Sequence, residues 1–189
     1  DARSIAEVRN GTDSLFEHSV RAAASLADYF INGGNRVGLL IYGSYLAWTF
    51  PGYGKQQRSE IMAALTRAKL GVSEVFKDFH HLPTRLFPPL SQVVVVSPLL
   101  PKDIYPLRFM RALGYRVMVV SPDPISFEKP ALPRNEWAAA AERIACMERE
   151  TIVAKLRRAG VRVAEWDVQT PLLISLKSYT KGVKRWSSV

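Results

Sequence analysis

The residues of this chain with the means to do chemistry lie just past its apolar runs. Gly43-Ser44, Ser97-Pro98, Ser121-Pro122-Asp123 and Trp166-Asp167 each follow an apolar stretch. In an open parallel sheet, ligands bind beyond the carboxyl ends of the strands, so a site would form at these positions. Asp1 to Ser4 join the set if a strand precedes Asp1. Ser and Asp oxygens suit Mg²⁺, Mn²⁺ or another hard cation, which makes Asp1, Ser97 and Asp123 the candidate metal ligands. The same residue types are also the commonest turn formers and helix caps, so each has a purely structural use as well.

Other chemistry is poorly provided for. His80-His81 fall in an irregular stretch and His18 in a helix, with no carboxylate-rich set beside them. Gly52-Tyr53-Gly54-Lys55 resembles a phosphate loop but lacks the earlier glycine, and Gln56 stands where Ser or Thr is required. There is no three-glycine dinucleotide fingerprint, no Ser-His-Asp or Cys-His set and no His-Glu-x-x-His helix. Cys146 sits in an apolar helical stretch without an activating His or Asn and reads as a packing residue. Glu148 and Glu150, among Arg143, Arg149, Arg157 and Arg158, read as an exposed, ion-paired helical face. Trp48, Phe50 and Tyr53 surround a turn, either packed there or forming a contact surface for another protein.

The formal net charge of +9 raises the question of nucleic acid. Basic residues are dispersed, with one concentration at Lys177, Lys181, Lys184 and Arg185, and no zinc-finger spacing, RNA-binding motif or basic arm accompanies them. The expectation is a solvated basic surface with no specific nucleic acid and weak contact with acidic membranes. No run approaches the roughly 20 apolar residues that span a bilayer. The single cysteine points to a reducing compartment. Asp1-Ala2-Arg3-Ser4 has neither an initiator Met nor the regions of a signal peptide, so a longer parent protein is expected.

The elements that would position these residues follow from periodicity. Ser14 and Glu17 form a capping box for a helix to Ile31, with Phe16, Val20, Ala23, Ala27 and Phe30 on its apolar face. Val37–Tyr42 is apolar on both faces, as in a covered sheet. Tyr45–Phe50 follows after two residues, a link that permits only an antiparallel hairpin. A helix over Gln57–Lys69 precedes an irregular stretch from Gly71 to Leu90 that holds a short helix. Then come a strand at Gln92–Ser97, a helix at Pro101–Leu113, a strand at Arg116–Ser121 and a long helix from Asn135 to Ala159. In that helix Trp137, Ala141, Ile144, Ile152 and Leu156 are expected inward. A strand at Val161–Trp166 and a helix from Pro171 to Lys184 close the chain. The alternation predicts one α/β domain over residues 1–189, with three layers and a mostly parallel sheet that has one antiparallel edge strand.

Several blocks carry a family resemblance. Asp13-Ser14-Leu15-Phe16-Glu17-His18-Ser19-Val20-Arg21-Ala22-Ala23-Ala24-Ser25-Leu26-Ala27 runs on toward Gly34-Asn35-Arg36-Val37-Gly38-Leu39-Leu40-Ile41-Tyr42-Gly43. With Phe50 to Gln56, Pro88 to Pro98 and Gly114 to Pro122, this resembles the prokaryotic domain-of-unknown-function family fifty-eight, especially its archaeal members. The resemblance implies a von Willebrand factor type A fold and a metal-ion-dependent adhesion site. The first motif of that site, Asp-x-Ser-x-Ser, is degenerate here, because Arg3 and Ile5 stand where the serines belong. Ser97-Pro98 occupies the strand end of the usual Asp, and Thr84 is the nearest counterpart of the usual Thr. An arginine at that place opposes a divalent cation and removes an oxygen ligand, so no tight metal site is expected. Asp1 and Arg3 are expected to pair with each other or with a partner.

The resemblance also implies that Asp1 closes a central strand, most of which would lie upstream or be supplied by another chain. It implies a protein-interaction module working with a MoxR-type AAA+ ATPase, as a cytoplasmic domain of a membrane-anchored parent. The expected contact surface is Asp1, Arg3, Ser44, Ser97, Ser121 and Asp123. The competing reading is an enzyme acting on phosphate or nucleic-acid substrates through the basic surface.

Overall fold

The computed structural model describes residues 1–43, 45–71 and 78–180, with the backbone alone for 177–180. Arg9–Asn10 (β1) and Asp13–Ser14 (β2) form a short antiparallel ladder that leads into α1, Leu15–Asn32. Ser14 caps α1 by accepting the Glu17 amide on its hydroxyl at 3.4 Å. The carboxylate half of the cap comes from Glu7, which accepts the Ser14 hydroxyl at 2.6 Å and the Phe16 amide at 3.1 Å. Glu17 instead pairs with Arg21 one turn on.

Val37–Tyr42 (β3) and Leu46–Gly52 (β4) form the expected antiparallel pair. Helix α2 spans Gly54–Thr66, starting and ending three residues earlier than the pattern predicts. Its start follows from a polar anchor. The buried Gln57 amide donates to the Val37 and Phe50 carbonyls at 2.6 and 2.8 Å, fixing the first turn to β3 and β4. Gln92–Val96 (β5), Ile104–Ala112 (α3), Arg116–Pro122 (β6), Pro124–Glu128 (α4), Glu136–Arg158 (α5), Arg162–Trp166 (β7) and Leu172–Thr180 (α6) follow. The predicted continuation of the last helix to Lys184 lies outside the described residues, as do Lys181, Lys184 and Arg185 of the basic concentration.

Strands β5, β6 and β7 make a three-stranded parallel sheet. Helices cover both faces. On one, α1 and α6 bury Ala22, Leu26 and Leu172 against Val120 and Ala164, while α2 buries Ile61 and Leu65 against α1 and the β3–β4 pair. On the other, α3, α5 and the turn at Phe79–His81 bury Leu107, Met110, Ile152 and Leu156 against Val117, Val119 and Val163. The molecule is therefore a mixed α/β fold of three layers. The β3–β4 pair does not join the parallel sheet through a full strand. Among the described residues Asp1 and Ala2 bridge the two: the Asp1 amino group donates to the Val96 carbonyl at 3.0 Å, and the Ala2 amide donates to that of Tyr42 at 2.7 Å.

Two expectations on burial need correction. In α1, Phe16, Val20, Ala23 and Phe30 are half-buried, because part of that face looks into the space between β3 and β5. In α5 only the C-terminal half packs inward, with Trp137 85% and Ile144 58% exposed and Ala141 also exposed. The cause is length. A helix of 23 residues is about 34 Å long, whereas the strands it covers reach roughly 16–24 Å, so its first turns overhang the sheet. Among the described residues no helix is long and apolar enough to cross a membrane.

The two halves of α5 should respond differently to truncation. Leu156→Ala, at a fully buried position, should lower unfolding free energy by about 2–5 kcal/mol in urea denaturation. Trp137→Ala should change it by no more than about 0.5 kcal/mol.

Candidate functional site: a buried guanidinium at the strand ends

The carboxyl ends of β3 and β5 converge on Asp1, Ala2 and Arg3. The backbone approaches so closely there that a Cβ on Gly43 would stand 2.4 Å from the Ala2 carbonyl oxygen, which is why a glycine follows β3. This closeness aims the Arg3 side chain into the interior, where it is 2% exposed. Its Nε and Nη2 donate to the two oxygens of Asp1, both at 2.8 Å. Its Nη1 and Nη2 donate to the two oxygens of Asp103 at 2.7 and 2.8 Å. The Phe79 ring lies beneath, 3.9 Å from the guanidinium carbon. Two forked pairs on one planar cation, with an aromatic face below, is geometry that arginine provides and lysine does not.

The carboxylates are held in turn by the backbone. Asp1 also accepts the Arg3 amide at 3.1 Å and the Ser97 hydroxyl at 2.7 Å. Asp103 accepts the Leu100 amide at 2.9 Å and stands at the N-terminus of α3, where the helix dipole favours negative charge. Ser97 receives the Leu99 amide at 3.2 Å, steadying a turn in which Leu99 adopts φ +67°. A buried leucine in the left-handed region is strained and persists only where its surroundings hold it.

A second arginine closes the neighbouring strand ends. Arg149 of α5 donates to the Pro98 carbonyl at 2.9 Å and to the Ser121 hydroxyl at 3.0 Å, and lies 3.4 Å from Asp123. Its side chain is 11% exposed, so it does not belong to the exposed charged face expected of this stretch. Burial pulls its pKa below the usual arginine range, partly offset by Asp123 and Glu165. Asp123 caps α4 by accepting the Ile125 amide at 3.1 Å.

Of the six residues expected at a contact surface, Arg3, Ser97 and Ser121 are buried, and the Asp1 side chain is 1% exposed. Asp123 is half-exposed, and Ser44 lies outside the described residues. The structure brings Asp1, Arg3 and Ser97 into one hydrogen-bonded cluster and places Ser121 and Asp123 around Arg149. Thr84 sits in a separate turn, Thr84–Leu86, where its carbonyl accepts the Tyr115 hydroxyl. Asp103 and Phe79 complete the cluster without having stood out in the sequence. Asp103 there has the look of an ordinary acidic residue in a helix's first turn, and Phe79 falls in the irregular stretch.

The donor set does not fit a metal ion. The oxygens of Asp1 and Asp103 that a cation would need are taken by Arg3, and among the described residues no group of three or more His, Cys, Asp or Glu is placed to hold one. No protein-family model, curated protein or solved structure matches this chain.

The cluster carries two testable consequences. Arg3→Met would leave Asp1 and Asp103 buried without their cation and should cost about 3–5 kcal/mol in urea denaturation. Pairing it with Asp103→Asn should recover part of that loss, and strict additivity would show that the pair does not couple. The Asp1 amino group is pushed down to about 5 by burial and by the Arg3 cation. The unfolded chain thus binds a proton that the folded chain does not, and stability should rise as pH increases from about 5 to 8. The contribution is present above 8 and lost below 5. N-terminal acetylation should abolish this part of the slope, read as the difference between acetylated and free chains.

Proposed function

We propose that this chain is a von Willebrand factor type A-like interaction module in which the Arg3 guanidinium takes the place of the adhesion-site metal. Its partner in this reading is a MoxR-type AAA+ ATPase. The observation that carries the reading is the twofold capture of Arg3 by Asp1 and Asp103 at the strand ends, the position where an open α/β sheet binds its ligands. The strand arrangement is compatible with it: β7, β6 and β5 in parallel, then the short Asp1–Ala2 bridge beside β5, then β3 with β4 antiparallel at the edge.

A site built this way has a sealed floor and an apolar rim. The segments leaving the strand ends expose Ile5 (56%), Tyr45 (44%) and Tyr105 (64%). Large apolar side chains around a desolvated centre are what protein partners bind, whereas a catalytic centre needs a polar group that substrate can reach.

The test is binding of the purified chain to a purified MoxR-type ATPase, followed by fluorescence anisotropy with and without chelator. Affinity should be unchanged by chelator, and millimolar Mg²⁺ or Mn²⁺ should leave the melting temperature of the chain where it was. Ile5→Glu and Tyr105→Glu should each weaken binding about tenfold or more, while Trp137→Ser leaves it unchanged. Chelator-sensitive binding would overturn the metal-free reading, and rim variants that bind normally would overturn the surface.

A further inference from the structure

We infer that the overhanging half of α5 is a self-association surface, on which a second copy of the chain lays its own α5 antiparallel. This inference does not rest on the binding reading above and concerns a different part of the molecule. It starts from the spacing of the helix. Trp137, Ala141 and Ile144 follow one another by four and three residues and so share one face, with Ala140 and Met147 beside them. All but Ala140 are exposed, and among the described residues Trp137 is the most exposed large apolar side chain. Because these turns overhang the sheet, their outward face is open to a second helix.

The charges around the stripe say what covers it. Arg134 precedes the stripe by one turn and Glu148 follows it by one, while Glu136 and Arg143, seven residues apart, share one flank. Among the described residues none of these four enters an ion pair, although Glu142 of the same helix pairs with Lys129 at 2.7 Å. Opposite charges at the two ends of one stripe cannot meet within a straight helix, but they meet across a twofold axis. With the second copy antiparallel, Arg134 faces Glu148 of that copy, Glu136 faces its Arg143, and Trp137 lies over its Ala141 and Ile144. The midpoint of each such pair falls between Ala139 and Ala141, so one axis satisfies them all and each contact occurs twice. At that axis stands the run Ala138 to Ala141, whose small side chains let two helices approach closely and leave room for the indole. A parallel copy would set Glu136 against Glu136 and Arg143 against Arg143, which repel.

The apolar contact supplies affinity and the flanking charges supply direction, since exposed ion pairs contribute little. Two helical faces of this length bury on the order of 1,000 Å² in total, the low end for a specific interface, which sets Kd at roughly 10–100 µM. At about 1 µM the chain is then almost all monomer, so the pairing leaves the stability of the single fold unaffected.

The test is sedimentation velocity on the 189-residue chain between about 1 and 500 µM. A monomer–dimer equilibrium should appear in that range, with Kd raised about tenfold or more by Trp137→Ser. Glu136→Arg and Arg143→Glu should each weaken self-association about fivefold or more. An equimolar mixture of these two variants should form a heterodimer about as tight as the unmodified pair, because opposite charges then face one another again. A chain that stays monomeric throughout, a dimer indifferent to Trp137→Ser, or a mixture that associates no better than its separate variants overturns the inference. Loss of ATPase binding in Trp137→Ser without any self-association would give the stripe to that partner and overturn it as well.

Discussion

Two ionised carboxylates buried within reach of one another need a cation between them, and here that cation is the side chain of Arg3. Removing charges from water is costly, and only close, fully hydrogen-bonded pairing offsets the cost. The pairing reaches well beyond the ions. Asp1 holds Ser97 and, through its amino group, the end of β5. Asp103 holds Leu100 and the start of α3. The backbone of Ala2 and Ser4 joins Tyr42 and Gly71, so β3 and the segment after α2 depend on the same residues. One guanidinium thus sets the relative position of three parts of the chain that share no strand ladder.

Arg149 repeats the device from the opposite side, reaching from α5 to the ends of β5 and β6. Between them the two arginines turn the polar groups of the strand ends inward. The serines hydrogen-bond to their own protein, and the surface is left to the side chains that rise around them. A divalent ion in such a place would make the site depend on metal supply and chelation. A guanidinium is always charged and always present, so the conformation of these turns is independent of both.

Much of the framework was legible in the sequence because it depends on local pattern. Apolar runs on both faces marked β3, β5 and β6, the two-residue link forced the antiparallel hairpin, and Ser14 announced the start of α1. The pairing of Asp1 with Arg3 was legible too, since the two lie two residues apart. Asp103 was not, because nothing local distinguishes a first-turn acid in solvent from one that meets an arginine a hundred positions away. Arg149 was misread for a related reason: periodicity assigned it to a charged face but could not show that its stem reaches back to the strand ends. Trp137 and Ile144 keep the apolar spacing of α5, yet spacing does not reveal where the sheet beneath a helix stops. The start of α2 was displaced by Gln57, a polar residue whose value comes from two carbonyls on strands it does not adjoin in sequence.

The separation of Arg3 from Asp103 by 100 residues also bears on the order of assembly. Closing a flexible loop of that length costs about 4 kcal/mol of chain entropy, more than the roughly 0–1 kcal/mol that a solvated ion pair returns. In an otherwise unfolded chain the two ends would not stay together. They meet once β3, β5 and α3 have brought their partners within reach, so the ion pair works as a latch that engages only on a sheet already built.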